Sequence, residues 1–359
     1  MGTSREWCEL YTFFRLLADG QIAMGTEQGS SGEQIRPLAS ILRTEHNGIR
    51  KYLIESQHIR IVSDEQPVRL VPREDFSAAA DLILQAVKSS TQDEVEVPEG
   101  VEAFLDELRI FDLEAPTTDR TDLHLTFWHP DSPPCGFIVR SRLGQMRPLL
   151  DGGRTANLKL EQSGIKFASP TVSKINASPE SANEVAERML LIERLGGVLR
   201  YADVADKVFK ANLSMIDLHF PRLLTEMVRT MHLDGISRTC DLVDVMEQIN
   251  PLKIKEELIQ KHLFYRFKTQ QFLTALLCGM RPAKIYRGET TAIEGLLLLD
   301  GSGQVAAYHL SDRSTLENFL LKNTRFEKGA LEKDKYGYLE RENGVYYFKL
   351  NAKIGFCKR

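Results

Sequence analysis

Apolar residues recur along the chain with two periods, and each stretch of one period predicts a different element. Trp7, Leu10, Tyr11, Phe14 and Leu17 recur at helical spacing, Thr3 with Glu6 forms a capping-box pattern ahead of them, and Asp19-Gly20 ends the run. The prediction is an opening helix with one face in the core. A Gly/Ser-rich loop over 25–32 follows, and the spacing predicts a helix over 34–42. Runs at 58–62 and 68–71, the second stopped by Pro72, read as a small hairpin. Residues 75–89 and 98–110 read as helices.

From Thr121 the period changes to two, with Leu123, Leu125 and Phe127 alternating against His124, Thr126 and Trp128. The turn-rich His129-Pro130-Asp131-Ser132-Pro133-Pro134 and a second run at 136–140 complete two strands in a tight connection. Residues 180–196 form an amphipathic helical pattern, 201–248 are mostly helical, and 263–278 is a helix ended by Gly279. Runs at 295–299 and 304–310 flank Asp300-Gly301-Ser302-Gly303, and Ser314 with Glu317 caps a short helix. Runs at 336–340 and 345–350 flank Asn343-Gly344, a strong hairpin signal. The fold class is α/β (α+β) with a mixed sheet and no internal repeat. The polar stretch 89–96 is the expected boundary between an accessory region at 21–95 and a main body at 96–359, with residues 1–20 belonging to that body.

Composition narrows the classes. An apolar share of 42% with 27% charge suits a chain that folds without a partner. No apolar run approaches the roughly 20 residues of a membrane span, and Met1-Gly2-Thr3-Ser4-Arg5-Glu6 lacks the apolar core of a signal peptide. No membrane partner and a cytoplasmic location are expected. The cysteines, at 8, 135, 240, 278 and 357, are odd in number and have no metal-ligand spacing. Neither a disulfide framework nor a zinc site is expected, and they read as small buried apolar residues. A net charge of -4 argues mildly against nucleic acid, but local fields matter more than the sum. Between Gly136 and Lys174 seven Lys/Arg face two acids, and from Lys322 onward ten face five. Both segments are basic.

An acid just before one strand and a cation late in its neighbour suit a metal-dependent phosphodiesterase. Asp122 and Arg140 hold such positions, although the pattern alone more often marks a structural ion pair. More specific is a set of blocks running nearly the length of the chain. The central ones are Thr121-Asp122-Leu123-His124-Leu125, Gly136-Phe137-Ile138-Val139-Arg140-Ser141-Arg142-Leu143-Gly144 and Thr155-Ala156-Asn157-Leu158. Arg5-Glu6-Trp7-Cys8-Glu9-Leu10-Tyr11 precedes them, and Phe264-Tyr265-Arg266-Phe267-Lys268, Gly279-Met280-Arg281-Pro282-Ala283-Lys284 and Lys349-Leu350-Asn351-Ala352-Lys353-Ile354-Gly355-Phe356 follow. In this order they resemble the HpaII-type restriction endonucleases, with residues 21–100 poorly matched.

The resemblance implies a PD-(D/E)XK nuclease core with helical extensions, double-stranded DNA as substrate, Mg2+ as cofactor and a GC-rich, CCGG-like palindrome as site. It also implies a homodimer on that palindrome and a cognate DNA methyltransferase in the same system. Asp122 would be the catalytic, metal-holding carboxylate and Arg140 would stand where the family pattern has lysine. Ile138 stands at the motif's acidic position, so a second carboxylate must come from elsewhere. Glu6 and Glu9 on the opening helix, and Glu161, are the candidates, though Glu6 equally serves the capping box. Ser141, Arg142, Arg147, Arg154, Asn157 and Lys159 are the candidate DNA-binding residues. Of these Arg142 and Lys159, with Lys166, suit phosphate contacts, while Arg142, Arg147, Arg154 and Asn157 suit base edges. His124 and His129 read as structural. Arginine cannot readily give up a proton, so the alternative is a sequence-specific DNA-binding protein on the same fold with impaired cleavage.

Overall fold

The opening segment shows how local sequence and long-range packing combine. In a computed structural model describing residues 1–63, 66–177, 181, 183–288 and 291–357, helix α1 runs Ser4–Asp19. Thr3 N–H donates to Glu6 Oε2 at 2.6 Å and Glu6 N–H to Thr3 Oγ1 at 3.3 Å, so the capping box is present. Gly20, at φ 60°, ends the helix in a left-handed conformation that favours glycine. The inward face meets aromatic partners edge-on: Phe13 on Tyr52 at 4.8 Å, and Phe14 on Phe76 at 5.4 Å and Phe104 at 5.7 Å.

The principal elements after α1 are β1 (Gln21–Gly25), β2 (Ser31–Glu45), β3 (Gly48–Ile54), β4 (His58–Ser63), β5 (Gln66–Pro72), α2 (Arg73–Ser89), α3 (Val101–Leu108), β6 (Leu123–Phe127) and β7 (Cys135–Ser141). Then come β8 (Asn157–Gly164), α4 (Ser169–Asn176), α5 (Glu184–Arg194), β9 (Gly197–Val204), α6 (Lys207–Ile216), α7 (Phe220–Asp234), α8 (Thr239–Ile249) and α9 (Phe264–Leu277). The chain closes with β10 (Ile293–Leu299), β11 (Val305–His309), α10 (Arg313–Asn323), β12 (Thr324–Glu327), β13 (Leu339–Glu342), β14 (Val345–Asn351) and β15 (Lys353–Phe356). Residues 180 and 182 of the helix expected over 180–196 lie outside the described residues. Among those described, no helix is long and apolar enough to cross a membrane.

The described residues form two compact units, one from 1–147 and 291–319, the other from 148–288 and 320–357. In the first, a mixed sheet of nine strands has the order β1-β11-β10-β7-β6-β2-β3-β4-β5, with β7–β10 and β1–β11 parallel. β2 is long enough to pair with β1 through its first half and with β6 and β3 through its second. The expected helix over 34–42 is therefore wrong. Ile35, Leu38, Ile41 and Leu42 mimic helical spacing, but one face of the strand's second half buries Ile41, Arg43 and Glu45. Two charged residues hide the period of two. They are tolerated because Arg43 Nη1 meets Glu45 Oε2 at 2.6 Å and Nη2 donates to the carbonyls of Asp112 and Leu113 at 2.7 and 2.8 Å.

In the second unit an antiparallel sheet of order β9-β8-β14-β13 stands with the bundle of α4 to α9. The Asn343-Gly344 hairpin forms as its turn residues predict, both at positive φ. Of the cysteines only Cys8 is fully buried; the other four are half-buried.

Candidate active site

β7 runs past the end of β6, and this overhang builds the centre of the site. Asp122 N–H donates to the Phe137 carbonyl at 2.8 Å, so the carbonyl and N–H of Val139, two residues along the strand, face the same side. There β6 no longer has a backbone partner to offer. The Asp122 carboxylate takes its place, Oδ2 accepting from Val139 N–H at 2.6 Å. The Val139 carbonyl accepts from Arg140 Nη1, also at 2.6 Å. One peptide residue thus holds the acid and the cation that the sequence singled out. The register that sets Leu123 opposite Phe137 sets Asp122 opposite Ile138, which is 5% exposed and offers no ligand.

The second carboxylate arrives on α1, which packs against β7. Glu9 is buried, with Oε1 accepting from Ala115 N–H at 2.7 Å. Burial and then the Asp122 carboxylate push its carboxyl up to about 8 from the usual 4.5, against the opposing pull of the Ala115 N–H and the Arg43 guanidinium. Burial likewise raises Asp122, while Arg140, the Val139 N–H and Arg147 hold it down and Glu114 pushes it up. Glu114 is the third acid of the cluster. It pairs with Arg5 at 2.5 Å and Arg147 at 3.2 Å. Sequence reading missed Glu114 because it lies in an irregular stretch before Ala115-Pro116 with no periodicity to mark it.

The other expected site residues fall in several places. Glu6 is engaged by the capping box, its Oε2 accepting from both the N–H and the hydroxyl of Thr3. Ser141 is buried, accepting from Leu143 N–H at 3.1 Å, and Arg142 donates to the Gly29 carbonyl at 3.1 Å. Arg147 is exposed beside Glu114. Arg154, Asn157, Lys159 and Glu161 belong to the second unit. Asn157 is 2% exposed, its amide donating to the carbonyls of Asp334 and Lys335 and its oxygen accepting from Asn351. Such an amide has no group left for a base edge. Lys159 pairs with Glu342 at 2.6 Å, Arg154 is exposed with Nε on the Lys333 carbonyl, and Glu161 projects from β8 opposite Arg200 and Tyr347. His124 lies 3.3 Å from Asp119, and His129 lies 3.5 Å from Asp131 within its turn.

A carboxylate pair, Glu9 buried and Asp122 half-buried, with arginines around it suits metal-assisted hydrolysis of an anionic ester, but the geometry alone names no substrate. The comparisons do. The model of the HpaII restriction endonuclease family matches residues 3–356. The chain belongs to that family. It is similar to the type II restriction enzyme HpaII of Haemophilus parainfluenzae, 28% identical over 360 residues that cover 99% of this chain and 98% of that protein. No solved structure matches. As a member of the HpaII restriction endonuclease family the chain is a site-specific deoxyribonuclease, a hydrolase acting on DNA.

Proposed function

We propose that this nuclease is a Mg2+-dependent type II restriction endonuclease on a PD-(D/E)XK core, cleaving a GC-rich, CCGG-like palindrome. The observation that carries the reading is the pair Glu9 and Asp122. A buried and a half-buried carboxylate that interact with one another, both raised in pKa, are costly in the protein alone and are relieved by a hard divalent cation with a preference for oxygen donors. The donor set therefore fits Mg2+, held by Asp122 and Glu9. When bound, the ion polarises the scissile phosphate and lowers the pKa of water. Arg140, at the Val139 carbonyl, offsets negative charge developing on the phosphate. Arg147 and Arg5, paired with Glu114, are placed to draw the DNA backbone toward the acids.

A palindrome is met most simply by two copies of the chain related by a two-fold axis. A cognate methyltransferase would protect the host's sites, and the enzyme would work in the cytoplasm. Digestion of unmethylated phage DNA in Mg2+, with Asp122→Ala alongside, tests the reading: discrete fragments that disappear in the variant and in chelator are expected. Intact DNA with a retarded, salt-sensitive complex would favour the second reading, a binding protein impaired in cleavage. The observation behind that alternative is the arginine at position 140.

A further inference from the structure

At the other end of β7, five residues and about 17 Å from Arg140, a second cluster lies outside the nuclease chemistry. Cys135, Glu294 and His309 present a thiol, a carboxylate oxygen and a ring nitrogen all within 4.8 Å of one another. Among the described residues this is the only trio of such side chains close enough to share an ion. The three stand on neighbouring strands: Cys135 opens β7, Glu294 lies near the start of β10, and His309 ends β11.

The backbone is shaped around them. In the parallel pairing of β10 with β7 the register slips between Ile293 and Gly295, so Glu294 is the extra residue of a bulge. Bulged out, its carboxylate accepts from Gly136 N–H at 3.3 Å and receives the Cys135 thiol hydrogen bond. Gly136 and Gly295 flank it. A Cβ on Gly136 would lie 2.0 Å from the Ala292 carbonyl, and one on Gly295 would lie 2.3 Å from the Tyr308 carbonyl, so neither position accepts a side chain at this spacing. Gly295 stands opposite His309 in the β10–β11 ladder.

His309 is prepared on its far side. Nδ1 lies 2.7 Å from Ser311 Oγ and 3.1 Å from Ser311 N, whereas Nε2 is buried and meets no hydrogen-bonding group. In the metal-free form Nδ1 accepts from Ser311 N–H, so the ring proton sits on Nε2; ligation through Nε2 shifts that proton to Nδ1, where Ser311 Oγ can accept it, the arrangement that orients a metal-bound imidazole.

We propose that Cys135, Glu294 and His309 form a structural site for a borderline transition-metal cation of the Zn2+ class, distinct from the Mg2+ site. Thiolate with imidazole selects such an ion over Mg2+. Four-coordinate zinc spaces its ligand atoms about 3.5 Å apart, so the side chains draw in by up to about an ångström. Binding releases the Cys135 thiol proton to solvent, and a water fills the fourth position. The ion would staple three strands of the first unit's sheet. Arg36, whose charge opposes a cation here, is offset by the thiolate that binding creates.

The full chain, freed of metal by chelator dialysis, would be loaded with Zn2+ and desalted before elemental analysis. One equivalent per chain is expected, with a rise in melting temperature and no loss of it in Asp122→Ala. Co2+ in place of Zn2+ should give a thiolate charge-transfer band that Cys135→Ser removes. Ser311→Ala, at an exposed position that leaves the strands intact, should weaken binding roughly tenfold. Substoichiometric zinc in the wild type, or a cobalt band that survives Cys135→Ser and so belongs to another cysteine, would overturn the proposal.

Discussion

Replacing Glu9 by glutamine separates the charge of the carboxylate pair from its shape. The amide is isosteric, and its oxygen can still accept from Ala115 N–H. In the metal-free protein the Glu9 carboxyl sits at about 8, against 4.5 as an ordinary side chain. Between those two values the folded state keeps a proton that the unfolded chain has released. Stability is therefore full below about pH 4.5 and is lost as pH rises toward 8, at up to about 1.4 kcal/mol per pH unit. From pH 5.5 to 7.5 the wild type should lose roughly 3 kcal/mol more than Glu9→Gln, which has no proton there to lose. Urea unfolding in chelator, followed by tryptophan fluorescence, measures this well. Both tryptophans, Trp7 and Trp128, belong to the first unit, and Trp7 is buried two residues from Glu9. Saturating Mg2+ should flatten the wild-type pH dependence by holding the pair ionised, and should leave the variant unchanged. Parallel pH profiles for the two proteins in chelator would refute the electrostatic argument for the pair.

Three further outcomes test other parts of the structure. Asp122→Asn retains an acceptor for Val139 N–H and should abolish cleavage with a stability change within about 1 kcal/mol, while Asp122→Ala orphans that N–H and should cost about 1–3 kcal/mol in urea titrations. Arg140→Lys keeps the cation and should keep cleavage, whereas Arg140→Ala should lower the single-turnover rate by about 100-fold or more. Asn157→Ala should destabilise the second unit by about 2 kcal/mol in thermal melts while leaving the pattern of DNA fragments unchanged, since its amide is wholly engaged by Asp334, Lys335 and Asn351.

The elements legible in the sequence are those whose signals are local. α1 is announced by its capping box and its glycine stop, α9 by a long apolar period, and the β13–β14 hairpin by Asn343-Gly344. β2 was not legible because its pattern answers to distant partners. Arg43 and Glu45 occupy buried positions only because each other and the carbonyls of Asp112 and Leu113, about seventy residues on, satisfy them. β8 and β9 were missed too. Their pairing partners, β14 and each other, give the segment an order that its own composition does not advertise.

The same division runs through the site. Asp122 and Arg140 could be noticed because a tight connection separates their strands, and the structure brings both to the backbone of Val139. Glu9 was one of several acids that could have served, and what distinguishes it from Glu6 is direction. Glu6 turns back to the helix end, where a carboxylate is welcome beside unpaired N–H groups. Glu9 turns inward, where burial and Asp122 oppose its charge and the Ala115 N–H and Arg43 support it. No pattern of apolar spacing encodes that cost. A carboxylate standing where folding alone would favour an apolar side chain points to a ligand that makes good the difference, and under the function proposed for this chain that ligand is a divalent cation.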